Sequence, residues 1–288
     1  MTSQLKTILL LGILSAIVIM IGGLLGGKSG LLFSVCLALA MNLGSYWFSD
    51  SIVLNMYHAR EVSPDDSPYL HKIIGELARK ANLPMPRVYI VPEEAPNAFA
   101  TGRDPEHAAV AVTEGILNLL SPEQLRGVLA HEMAHVKNRD ILIQTIAGVL
   151  GSAIVTLANI FQFTSIFSSN REEGGGNPVT ALLMAILAPL AASLIQMAIS
   201  RSREYLADET GAALCQDPLA LAGALEQLGR MSGQIPLDSG NPSTAQLFIV
   251  QPAFAFGSAN LSNLFSTHPP LEDRIVRLQA LAAQMRRP

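Results

Sequence analysis

The 288 residues carry 19 Lys and Arg against 23 Asp and Glu, a formal net charge of −4. With no long basic run, this argues against a nucleic-acid surface. Half the residues are hydrophobic and 15% are charged, with mean hydropathy +0.36, whereas a soluble domain carries about a quarter charged residues. Cys36 and Cys215 form no C-x-x-C pair and Cys36 lies in an apolar run, so a disulfide framework is not expected.

The apolar excess sits in four uncharged stretches, each reaching the ~20 residues that a membrane-spanning helix needs. Spans are predicted at about 7–27, 29–49, 141–165 and 178–200, the third less uniformly apolar at its end. The first run outlasts the 7–15 residues of a signal-peptide core and lacks an A-x-A site near its end, so it reads as an uncleaved anchor. The turn Gly26-Gly27-Lys28-Ser29-Gly30 sends the second span straight back. Residues 1–49 and 141–200 are therefore expected as two membrane hairpins, alternating with water-exposed parts at 50–140 and 201–288.

In the first exposed part, residues 66–82 predict an amphipathic helix with Leu70, Ile73, Ile74 and Leu77 on one side, ended by Pro84 and Pro86. Val88–Val91, Asn97–Gly102 and Ala108–Val112 read as strands, and 114–120 as a short helix. Ser121-Pro122-Glu123-Gln124 then supplies an N-cap, a proline at the first helical position and a capping-box partner. On the helix that follows, Leu125, Val128, Leu129, Met133 and Val136 recur at helical spacing and face the core.

That helix carries His131-Glu132-Met133-Ala134-His135. Residues four apart share a helical face, so His131 and His135 offer two imidazoles to one metal ion, with Glu132 beside them to polarise a water. After Asp140 no breaker intervenes, and the helix continues toward, or bends into, the third span. Glu204 and Asp208, again four apart, lie in the charged run that follows the fourth span. His135 stands roughly 9 Å of helical rise before one span and Glu204 roughly 6 Å after the next. A hairpin between them brings both to similar height, which places Glu204 as third ligand. A surface glutamate in a juxtamembrane turn is the plainer alternative.

Residues 229–267 read as a long Gly/Ser/Asn/Pro-rich segment, followed by His268 and an amphipathic helix at 270–285 with Leu271, Ile275, Leu278 and Leu281 inward. Lys6, Arg60, Arg126, Lys137, Arg139, Arg201 and Arg203 flank the spans on the side of the histidines, against Lys28 and Arg171 on the other. The bias puts both termini and the metal site in the cytoplasm.

These stretches resemble the HtpX family of membrane-bound zinc metallopeptidases, relatives of the CAAX prenyl endopeptidases. The resemblance rests on His131–His135 with Lys137–Asp140, Ser202–Asp208, Asn97–Gly102, Ser266–Pro270 and the paired hairpins. It implies a mainly α fold with a small β-sheet, a gluzincin-like protease domain fused to four transmembrane helices. It implies one Zn2+ per chain held by His131, His135 and Glu204, with Glu132 as general base. It further implies Asp208 bonded to a zinc histidine, His268 steadying the oxyanion, and the strand of Asn97, Ala98, Phe99 and Ala100 binding substrate backbone as an edge. Asp140 matches the family pattern with no role beyond a local hydrogen bond.

The implied function is a multi-pass inner-membrane endopeptidase, active in stress response and quality control, taking membrane-protein or unfolded polypeptide substrates. An intramembrane protease fits less well, because Arg126, Lys137, Arg139 and Asp140 around the motif are costly in hydrocarbon. A prenyl-protein endopeptidase has more spans in a longer chain. A non-catalytic metal-binding adaptor has no need of Glu132.

Overall fold

The computed structural model describes residues 3–150, 201–232, 247, 249–250 and 269–286. Most of the third and fourth expected spans, and His268, lie outside them.

The N-terminal helix α1 (Ser3–Met56) is interrupted at Gly27, whose φ of 56° and ψ of −138° suit a residue without Cβ. The two arms fold back on each other. Asn42 Nδ2 donates to Ser15 Oγ at 2.8 Å, and a Cβ on Gly22 would meet Ser34 side-chain atoms. Among the described residues, one helix, Gly27–Met56, is long and apolar enough to cross a membrane. Among the described residues, fifteen of the twenty-one exposed large hydrophobic side chains lie on α1, a concentration that marks a surface made for an apolar partner.

The rest is mainly helical around a small mixed sheet. Strands β1 (Arg60–Glu61), β2 (Arg87–Val91), β3 (Ala98–Thr101) and β4 (Ala109–Thr113) line up in the order β1-β2-β4-β3. The β2–β4 pair is parallel and the other two are antiparallel. Period-2 alternation splits the sheet into two buried faces. Val88, Ala98, Ala100, Val110 and Val112 pack toward helices α2 (Pro68–Ala81) and α4 (Pro122–Lys137). Tyr89, Val91, Phe99, Ala109 and Ala111 pack toward Val53, Leu54 and Tyr57 at the end of α1. Strands that are apolar on both faces follow from this double burial.

Helix α3 (Glu114–Leu119) precedes α4, whose start carries the capping box. Ser121 Oγ accepts from Gln124 N–H at 3.3 Å, and Gln124 Oε1 accepts from Ser121 N–H at 3.0 Å. The inward residues expected on α2 and α4 are buried. Of the two courses open after Asp140, the chain bends: Arg139 takes φ 58°, and a new helix, α5, starts at Ile141 and is described to Leu150. Helices α6 (Arg201–Cys215), α7 (Pro218–Ser232) and α8 (Leu271–Met285) complete the body, with α6 and α7 both packed on α4.

Gly211 sets the distance between α4 and α6. A Cβ there would stand 2.9 Å from His131 Cα and N, backbone that cannot give. Gly211→Ala should cost about 1–3 kcal/mol through overpacking and weaken metal binding by displacing α6. Gly75→Ala, where the nearest obstacle is Met85 Sδ at 3.7 Å, should be neutral or stabilising by up to about 1 kcal/mol. Thermal unfolding in detergent with and without chelator checks both.

Candidate metal centre

Two helices converge on one buried point. His131 and His135 project from successive turns of α4, and Glu204 from the first turn of α6. All three are at least 96% buried. His131 Nε2 and His135 Nε2 are 3.2 Å apart. Glu204 Oε2 lies 3.7 Å from His131 Nε2, and Glu204 Oε1 lies 3.5 Å from His135 Nε2. One ligand atom from each falls within 4.8 Å of the others.

The donor chemistry calls for a cation. His131 Nδ1 lies 2.9 Å from Asp208 Oδ1, so that ring nitrogen carries the proton and Nε2 turns a lone pair to the cluster. Asp140 Oδ2, 3.7 Å from His135 Nδ1, biases the second ring the same way. Two lone pairs and a carboxylate then face one another across a few ångströms. Ligands about 2.0–2.2 Å from a tetrahedral zinc stand roughly 3.3–3.6 Å from each other, close to the separations here. Charge agrees: the carboxylates of Glu132, Asp140, Glu204 and Asp208 are buried around the guanidinium groups of Arg203 and Arg274. That leaves a formal deficit that a divalent ion balances.

Protonation follows from the same burial. Burial pushes the Glu132 carboxyl up to about 8, against the pull of His135 and of the Ala100 N–H. It pushes His131 down to about 4, although the Asp208 bond raises it, so this imidazole is neutral and able to ligate. At His135 burial is outweighed by Glu204 and Asp140, which hold the ring up to about 9. Without a metal, a proton taken up there supplies part of the missing positive charge.

Glu132 Oε2 accepts from the N–H of Ala100 at 2.9 Å, so its carboxylate hangs between the metal ligands and β3. By topology β3 is an edge strand, but its outward groups are engaged. Ile249 N–H donates to Ala98 O at 3.3 Å and to Asn97 Oδ1 at 3.1 Å. Asn97 Nδ2 donates to Val250 O at 2.8 Å. Asn97, Ala98, Phe99 and Ala100 are all buried, Phe99 with its ring against Tyr57 rather than toward Glu132.

Sequence analysis assigned Arg274, on the last helix, no place in the site. It is fully buried, donating through Nε to Asp208 Oδ2 at 2.9 Å and through Nη2 to Asp208 Oδ1 at 2.7 Å. Nη1 reaches Ile249 O at 3.1 Å. Despite burial, this guanidinium holds the Asp208 carboxyl below its ordinary range. A signal was present: Arg274, Leu278 and Ala282 recur every fourth residue, and they form the buried stripe of α8. The expected inward residues bear this out, with Leu278 in the core and Leu271, Ile275 and Leu281 packed against it; Arg274 and Ala282 share that face.

The chain is similar to known proteins over most of its length. A model of peptidase family M48 matches residues 64–282. A protease HtpX homolog of Syntrophobacter fumaroxidans is 54% identical over 285 residues, covering 98% of this chain and 100% of that protein. One of Pyrococcus furiosus is 53% identical over 281 residues, covering 97% and 96%. The crystal structure of S. mikatae Ste24p shares the fold at TM-score 0.50 and 17% identity, and this chain, 93% of it matched, covers 62% of that one.

Removing either end of the Arg274–Asp208 pair exposes the other as a lone buried charge. Arg274→Met should destabilise the fold by about 3–5 kcal/mol. Asp208→Asn should weaken metal affinity about 10–100-fold. Denaturation and competition titration with a metal-sensitive dye read the two effects. An unchanged affinity in Asp208→Asn would remove Asp208 from the account.

Proposed function

The chain belongs to peptidase family M48, and from that premise we propose a zinc metalloendopeptidase that cuts polypeptides at the cytoplasmic face of a membrane. That it is an HtpX-type metalloprotease is shown by the family match and by relatives more than half identical over nearly the whole chain. The observation that carries the rest is the convergence of His131, His135 and Glu204 with Glu132 at their side. Zinc, one per chain, suits this nitrogen and oxygen set; when bound, it supplies Lewis acidity, polarising a carbonyl and lowering the pKa of water toward ~7.

The protein's own groups do the proton work. Glu132 takes the proton of the attacking water and passes it to the leaving amide nitrogen. The Ala100 N–H fixes the direction of this carboxylate. Asp208, clamped by Arg274, keeps the His131 ring in the tautomer that ligates. His268 donates to the developing oxyanion. Substrate lies extended at the Gly102 end of β3, beyond the groups that Ile249 and Glu132 occupy, and is recognised through backbone hydrogen bonds, so selectivity for side chains is loose. Loose selectivity beside an apolar hairpin suits misfolded membrane proteins and unfolded chains, and hence quality control. The apolar α1 and the charge bias at its ends support a multi-pass protein with both termini and the site in the cytoplasm.

Glu132→Gln separates a base from a ligand. It should keep one zinc per chain and lower casein cleavage by about 10²–10⁴-fold, while chelation should silence the unaltered protein until zinc is restored. Metal analysis beside a fluorescent casein assay checks this. An active Glu132→Gln protein would remove the base assignment.

A further inference from the structure

The stretch from Phe99 to Arg103, which holds most of the strand beside Glu132, and the neighbouring strand β2 meet α1 and the residue after it at three points. Far from the apolar arms, the rings of Phe99 and Tyr57 meet with centroids 5.6 Å apart. Nearer to them, the Arg103 guanidinium lies 4.7 Å from the centre of the Trp47 ring. Trp47 is 51% exposed and stacks edge-on against Tyr46. From Trp47 to Tyr57 α1 rises about 15 Å; from Phe99 to Arg103 an extended chain covers about 13 Å. The two segments therefore run side by side in opposite directions, and β3 descends toward Trp47.

A third tie sets the level between them. Asp50 is the first charge after the uncharged run 29–49, and it pairs with Arg87 at 2.5 Å. Arg87 is in register with Ala109, which is in register with Thr101. Thr101 thus stands level with the point where charge returns to the chain. Tyr and Trp at that point are the side chains that settle at a membrane–water boundary.

We propose that Trp47 and Arg103 form a ruler, and that the preferred substrate is the extended segment immediately flanking a membrane span of another protein, cut at a fixed short distance from the bilayer. The proposal rests on the peptidase reading above. Ala100, whose N–H holds Glu132, is three residues from Arg103 along the chain, at most about 10 Å. An extended substrate leaving the lipid beside Trp47 reaches Glu132 after about three to four residues. The far end of β3 is already taken by Ile249 and Val250, so the strand is approached from its Gly102 end. Segments still helical at the membrane surface present no free backbone there, which confines cleavage to unfolded flanks.

The test uses the full chain, zinc-loaded, in lipid nanodiscs with a model substrate: one apolar span followed by five copies of the same flexible decapeptide. Cut positions are read by mass spectrometry, and soluble casein serves as a parallel substrate. Cuts should cluster in the first copy, within about three to six residues of the span. Moving the span boundary by five residues should move the cuts by five. The pair Trp47→Ala and Arg103→Ala should spread the cuts into later copies while casein cleavage stays within about twofold. Equal cutting of all copies with casein still cleaved would overturn the ruler and leave the peptidase reading intact. Cuts that stay with one sequence wherever the boundary lies would do the same. Failure on both substrates would overturn the two together.

Discussion

Everything in this molecule answers to a group of negative side chains held out of water at the end of α4. A buried carboxylate is costly unless paired and hydrogen-bonded, and here Glu132, Asp140, Glu204 and Asp208 gather within one small volume. Arg274 and Arg203 meet part of that charge. The remainder, together with two imidazole lone pairs 3.2 Å apart, is a standing requirement for a cation. The fold around the point is what makes the requirement tolerable: α4 and α6 pressed together at Gly211, and α8 delivering a guanidinium to Asp208.

The same group links the His131–His135–Glu204 cluster, Glu132 and β3. His131 reaches Asp208, Asp208 reaches Arg274, and Arg274 reaches the Ile249 carbonyl, whose own N–H lies on Asn97 and Ala98. Glu132 closes the circle through Ala100. The last helix, a short stretch before it and the edge of the sheet are thereby coupled to the ligand histidine. The coupling also explains why so much of a charged constellation sits on or beside apolar elements. A low dielectric surrounding strengthens each of these bonds and penalises any that is left incomplete.

What could be read from the amino acids follows from period and spacing. The i, i+4 histidines, the capping box before Pro122 and the apolar stripes of α2 and α4 are local patterns, and local geometry realises them. The long-range pairing of Glu204 with the histidines was legible from the expectation that a hairpin over 141–200 would return its two ends to similar height. Arg274 was not, because a charged residue on an amphipathic helix is ordinarily assigned to water, and only contact with Asp208 brings it inside. The covering of β3 by Ile249 and Val250 had no local signature either. It depends on a side-chain amide reaching across 153 positions. The bend after Asp140 turned on Arg139 adopting a left-handed conformation that sequence leaves open for most residues.

The central claim is that two imidazoles and the Glu204 carboxylate share one ion. X-ray absorption at the zinc edge, on the zinc-loaded chain and on Glu204→Ala, tests it most directly. The account predicts a light-atom environment with two imidazole signatures at about 2.0–2.1 Å, and loss of an oxygen neighbour with much weaker binding in the variant. Sulfur in that environment, or a spectrum and affinity unchanged by Glu204→Ala, would contradict it.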